Sequence, residues 1–104
     1  MVVAGTTTLH PDGVDHPGDC YRQARAVLRI IEDALRQAGA SLSDVVRTRA
    51  FLTDISSADD YGRAHGEAFS EIRPTATLVE VSALVHPDLV VEIEVDAIIS
   101  SVRT

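Results

Sequence analysis

In VVEIEVDAII, Val90 to Ile99, apolar and acidic residues alternate without a break from Val91 to Ala97. Val91, Ile93, Val95, Ala97 and Ile99 fall on one side of an extended chain, and Glu92, Glu94 and Asp96 fall on the other. A period of two with an apolar and a charged side marks a strand that has one face against a core. Three more segments read as strands: Val2 to Leu9, the β-branched run Val45 to Thr53, and Thr75 to Ser82. The helical period appears in the two gaps between the first three strands. Cys20, Ala24, Val27, Leu28, Ile31, Ala34, Leu35 and Ala38 recur at steps of three and four, which predicts an amphipathic helix over Cys20 to Ala38. Asp19 is placed to cap it and Gly39 to end it in the left-handed conformation. A second helix is predicted over Ala58 to Ser70, with Tyr61, Ala64, His65, Ala68 and Phe69 as its apolar stripe and Ser57 with Asp60 as a capping-box start. HPDGVDHPGD, His10 to Asp19, is the densest turn signal.

The order is therefore β-α-β-α-β-β, an α/β (α+β) chain with a mixed sheet. Each helix serves as a right-handed crossover between parallel strands. The short VHPDL connection predicts the last two strands as an antiparallel pair. The 104 residues make one domain. Two helices cover one face of such a sheet, and the other face must meet water or a partner. On that face the sequence predicts Glu92, Glu94 and Asp96, with Arg47 and Arg49 in a row beside Val45 and Phe51. A face that mixes five charges with large apolar groups fits a subunit interface with polar clefts, so a homo-oligomer with its site between subunits is expected. The bland alternative is a monomer with an open, solvated sheet.

Composition restricts the partners. The net charge of −7 opposes phosphate backbones, so no nucleic-acid partner is expected. Arg22, Arg25, Arg29 and Arg36 share a helix face, but Glu32 and Asp33 lie among them, which reads as a solvated surface. No apolar run approaches the roughly 18 residues that span a bilayer, so no membrane partner is expected either. The opening MVVAGTTTLHPDG lacks the basic and apolar regions of a signal peptide. The single cysteine, Cys20, cannot form an intramolecular disulfide, which fits a reducing, cytoplasmic setting.

Chemistry-bearing patterns are few. His10, His16, His65 and His86 show no metal-ligand spacing, and no metal or cofactor is expected. Cys20 sits at a helix start, where a thiol pKa can fall, but on the apolar side, where a cysteine is a small core residue. Glu92, Glu94 and Asp96 form the one acid/base constellation, with Arg47 and Arg49 as candidate neutralising partners for Glu94 and Asp96.

Four stretches together resemble the RidA (YjgF) family of enamine/imine deaminases: VVAGTT, QARAVLRIIEDALRQAGASLSDVVRTRAFLTDI, RPTATLVEVSALV and VVEIEVDAII. The resemblance covers almost the whole chain. It implies a chorismate-mutase-like fold and a homotrimer with three intersubunit clefts. It also implies hydrolysis of 2-aminoacrylate-type intermediates to a 2-oxo acid and ammonia. Some relatives carry endoribonuclease or translation-inhibitor labels, to which an acidic chain lends little support. By the same resemblance, Gly5 is the glycine whose backbone lies against the ligand, and Glu92 positions the attacking water. The third strand of deaminating relatives opens Pro-Ala-Arg-Ser/Thr, and its arginine grips the substrate carboxylate as a planar fork. Here Pro74, Thr75, Ala76 and Thr77 stand in that motif, and Ala76 replaces the arginine. Arg73 lies before the proline as a weak substitute, and Thr75 or Thr77 can offer a hydroxyl to a different ligand. Gly62 stands where relatives often place a cleft asparagine. Relatives usually carry some twenty residues before the VVAGTT strand, which form an edge strand and line part of the cleft; the sequence begins inside the VVAGTT strand, so the expectation is either a shortened start or a more open cleft. Standard 2-aminoacrylate deamination is therefore not expected. A hydrolase for another small imine and a non-catalytic small-metabolite-binding protein both remain open.

Overall fold

The computed structural model describes residues 1–99. Strand β1 is Val2–Thr6, and Leu9–His10 (β2) with Gly13–Val14 (β3) forms a small separate hairpin. Helix α1 is Cys20–Gln37, β4 is Val45–Leu52, α2 is Ala58–Phe69, β5 is Thr75–Glu80 and β6 is Val91–Ala97. The main sheet runs in the order β1-β6-β4-β5, with both helices packed on one face in the chorismate-mutase-like arrangement. The expected α1 is present nearly residue for residue. The Asp19 carboxylate accepts from the Arg22 amide, and Gly39 follows the helix at φ +85°.

Four expectations change. The predicted β5–β6 pair does not form: β6 lies between β1 and β4, antiparallel to both, while β5 pairs in parallel with β4. The reason is burial. Val91, Ile93 and Val95 are wholly buried, whereas most of β5 is exposed, so the more apolar strand takes the centre and β5 the edge. Residues 81–90 carry the chain past the end of β4, where the Thr53 amide donates to the Val90 carbonyl. Second, Val45 leaves the open face and joins the core, because a bulge between Val45 and Arg47 reverses the alternation. Third, Ser57 makes no side-chain cap on α2. Asp54 instead caps a short 3₁₀ turn, Ile55–Ser57, that feeds into the helix. The first strand also stops at Thr6, short of the expected Leu9, and the turn-rich segment folds back as the β2–β3 hairpin.

The core lies between the helices and the sheet. Val27, Ile31 and Leu35 of α1 meet Leu52, Val91, Ile93 and Val95, with Tyr61, Ala64 and Phe69 from α2. Each such large side chain contributes about 1.5–3 kcal/mol by burial. Gln23 is fully buried among them. Its amide donates to the His16 and Asp88 carbonyls at 2.9 and 2.8 Å, and its oxygen accepts from the Val90 amide at 3.0 Å. One side chain thus pins the turn before α1 to the loop before β6.

Candidate functional site

The open face of the sheet carries three cross-strand rows. Thr75, Arg47 and Asp96 stand side by side, then Thr77, Arg49 and Glu94, then Val79, Phe51 and Glu92. In the first two rows both carboxylates are neutralised, while Arg47 makes no hydrogen bond or ion pair among the described residues. Arg49 Nε donates to Glu94, and its two terminal nitrogens reach both Asp96 oxygens at 3.1 and 3.3 Å. The hydrogen bonds from Arg49 hold the Asp96 carboxyl below the usual carboxylate range, and Asp96 and Glu94 in turn raise the guanidinium. The expected neutralisation of Glu94 and Asp96 is thus supplied within the chain, by Arg49.

Glu92 is different. It is half-buried and, among the described residues, has no hydrogen-bond or ion-pair partner. Its neighbours in the row are apolar, Phe51 and Val79. On its other side β1 bulges between Val3 and Thr6, and Gly5 faces the carboxylate. A Cβ built at Gly5 would stand 2.7 Å from Glu92 Oε2 and 2.9 Å from its Cδ, so the glycine is what leaves room for this side chain. The structure therefore brings two of the expected site residues together, Gly5 on the bulged strand β1 and Glu92 on the neighbouring β6, and bulges of this kind are often found beside active sites.

The remaining expected residues stand elsewhere. Ala76 is in register with Thr48, a buried residue of the helix-side face, so Ala76 lies on the opposite side of the sheet from Glu92. Thr77 shares the open face, one row from Glu92. The Thr75 hydroxyl is used internally, donating to the Val46 carbonyl at 3.0 Å. Arg73 has a left-handed backbone, φ +53°, and its Nε donates to the Ser70 carbonyl at the end of α2. A methyl built at Gly62 or Gly66 would meet nothing within 4 Å in this chain.

Cys20 settles as a core residue. Burial, with Asp60 and Asp19 nearby, pushes its thiol up to about 11, away from nucleophilic use. Behind the sheet, α2 stacks Tyr61, His65 and Phe69, and His65 Nε2 lies 3.0 Å from the Thr48 hydroxyl. Burial holds the His65 imidazole below its ordinary value. No group of three or more metal-ligating side chains occurs among the described residues. No helix among them is long and apolar enough to cross a membrane. The unpartnered Glu92 and the buried Gln23 escaped pattern reading differently. Glu92 was visible as an acidic position, but its isolation depends on Arg49 choosing the two other carboxylates. Gln23 falls at helical spacing between Cys20 and Val27, and its polarity masked its place on the buried side.

Residues 1–99 match the family model described as Endoribonuclease L-PSP. Among solved structures, Rv2704 of Mycobacterium tuberculosis, a member of the YjgF/YER057c/UK114 family, is 51% identical and superposes with a TM-score of 0.84 over 94% of this chain and 77% of that one. The Rid-family protein YyfA of Yersinia pestis is 35% identical, with a TM-score of 0.83 over 92% and 77% of the two chains. A RutC family protein of Pyrococcus abyssi is 35% identical over 90% of this chain and 74% of its own length.

Proposed function

The chain belongs to the endoribonuclease L-PSP family, the YjgF/Rid group, and on that premise we propose that it is a homotrimeric hydrolase acting on a small imine that lacks a carboxylate, at clefts between subunits. The observation that carries the reading is the unpartnered, half-buried carboxylate of Glu92, seated against Gly5 and flanked by Phe51. A water held there faces an apolar wall on which a C=N group can lie. Glu92 takes a proton as that water adds to the carbon, and the resulting carbinolamine expels ammonia to leave the carbonyl product. In sum, an imine and water give a carbonyl compound and ammonia.

The reading of the cleft as intersubunit rests on the same sheet. Ala76 and Glu92 occupy opposite faces, so a site lined by both needs two copies of the chain. Exposed Val2 and Val79, 66% and 40% accessible, give the open face and its edges apolar surface for that contact. The alanine carries the specificity argument. A methyl cannot grip a carboxylate, Arg49 is already committed to Glu94 and Asp96, and Arg47 stands two rows away from Glu92. Losing the fork removes positioning, which supplies a large share of rate enhancement. The acidic charge of −7 gives the ribonuclease label in the family's description little support for this chain.

The same observations favour a second reading, a small-metabolite-binding protein, if the missing grip has ended turnover. Light-scattering mass and carbonyl release from 2-aminoacrylate, measured for wild type and Ala76→Arg, test the proposal. A trimer whose Ala76→Arg form gains 2-aminoacrylate hydrolysis supports the composite site. A monomer, or no gain in a folded trimer, contradicts it.

A further inference from the structure

The outer surface of α1 carries a groove of about 350 Å³ lined by His16, Arg22, Arg25, Ala26 and Arg29. No carboxylate lines it, in a chain of net charge −7. The residues at 22, 25, 26 and 29 follow the i, i+3, i+4, i+7 spacing that puts side chains on one helix stripe. The sequence sets Glu32 and Asp33 near this stripe; in the structure Glu32 bonds Arg36 at 3.2 Å, one turn further on, and with Glu67 lines an adjoining groove that Arg25 and Arg29 also border. Arg29 has no acidic partner among the described residues. Arg22 and Arg25 stand 3.7 Å from Asp19 and Glu67, beyond good hydrogen-bond distance and on exposed side chains. Such surface pairs are weak and readily exchanged.

The groove wall is also built, not merely exposed. His16 has a left-handed backbone, φ +54°, which is uncommon for a residue with a side chain. Its carbonyl accepts from both the Asp19 amide and the buried Gln23 amide group. Gly18 bonds the Asp88 carbonyl, which Gln23 also holds. The turn that presents His16 to the arginines is thus fixed from the core. Non-glycine residues held in this region cluster at ligand-binding segments.

We infer that this groove binds a compact polyanion of the diphosphate class. Three guanidinium forks match phosphate oxygens in a bidentate manner. The surrounding acidic surface disfavours an extended phosphate backbone that would run past the groove, whereas a small anion stays within it. The site lies on the helical layer, across the sheet from Glu92, and does not depend on the proposed imine chemistry.

Calorimetric titration of the full chain with inorganic pyrophosphate tests this. Saturable binding is expected, weakened about tenfold by Arg29→Gln, the loss of one charge-assisted contact. Arg36→Gln, on the same helix but outside the groove, should change it by less than about twofold. Imine hydrolysis should be unchanged in the Arg29→Gln protein. No saturable heat at millimolar pyrophosphate overturns the inference, as does equal weakening by both substitutions, which would mark diffuse charge attraction. Tighter binding of a single-stranded RNA oligonucleotide than of pyrophosphate overturns the compact-ligand part of it.

Discussion

Adding one methyl group at Gly5 separates the role of Glu92 from its mere presence. The new Cβ would lie 2.7 Å from Oε2, and an ordinary contact begins near 3.4 Å, so the carboxylate must retreat by the difference, about 0.7 Å. The atoms it meets are the far end of a flexible side chain, and the backbone at Gly5 is not in the left-handed region. The fold therefore absorbs the change, at a cost of about 0.5–1 kcal/mol. The site does not. A displacement approaching 1 Å from the productive position lowers a positioned reaction by up to about a hundredfold. Gly5→Ala should therefore melt within a few degrees of wild type, yet release carbonyl product from uncharged imines some ten- to a hundredfold more slowly. The assay generates the imines in place with an amine oxidase and follows the carbonyl. A Gly5→Ala protein that is folded and fully active would refute the claim that Glu92 must sit where the glycine lets it. Extensive unfolding would refute the claim that the contact is soft.

Other outcomes follow from the same geometry. Gln23→Leu leaves the Val90 amide without its partner while the His16 and Asp88 carbonyls keep other donors, so urea titration should show a loss of about 2–3 kcal/mol. Arg49→Met leaves Glu94 and Asp96 facing each other and should destabilise the chain at neutral pH. Because Arg49 lowers the Asp96 pKa, that contribution is complete above the unfolded value near about 4 and fades as pH falls through the lower folded value. The difference between variant and wild type should shrink accordingly in melts at decreasing pH. His65 has the opposite charge sense: its folded pKa lies below about 6.5, so the unfolded chain takes up the proton first. Stability should decline as pH drops below that value, and His65→Gln should lack this component. Cys20, buried and with its thiol pushed up to about 11, should resist a thiol reagent in buffer and react in urea.

Much of the fold is legible in periodicity alone. The α1 stripe, its Asp19 cap and the Gly39 exit are local effects, and each holds in the structure. The strands are legible too, but their order is not. A short connection between Val81 and Val90 suggests a hairpin, whereas the placement of β6 at the centre is decided by how much apolar area each strand can bury. Val45 illustrates a second limit. Alternation assigns it to the face of Arg47, and one bulge residue reverses the assignment. In the site, the acidic row and the substitution of Ala76 can be read from the sequence. Which carboxylate stays free cannot, because it depends on Arg49 reaching across the sheet to two partners at once. Nor does the sequence show that Ala76 and Glu92 face opposite ways, the fact that makes a single-chain site impossible for the pair.

The most direct measurement is carbonyl release from a series of uncharged imines by wild type and Glu92→Gln at matched concentration. The isosteric amide keeps the side chain's size against Gly5 and removes its ability to take a proton. The account predicts a wild-type rate above the uncatalysed background that Glu92→Gln abolishes in a protein of unchanged oligomeric mass. Equal rates for the two proteins would contradict it, and so would the absence of any turnover by wild type, which would leave the unpartnered carboxylate as a ligand-holding group and the chain as a binding protein.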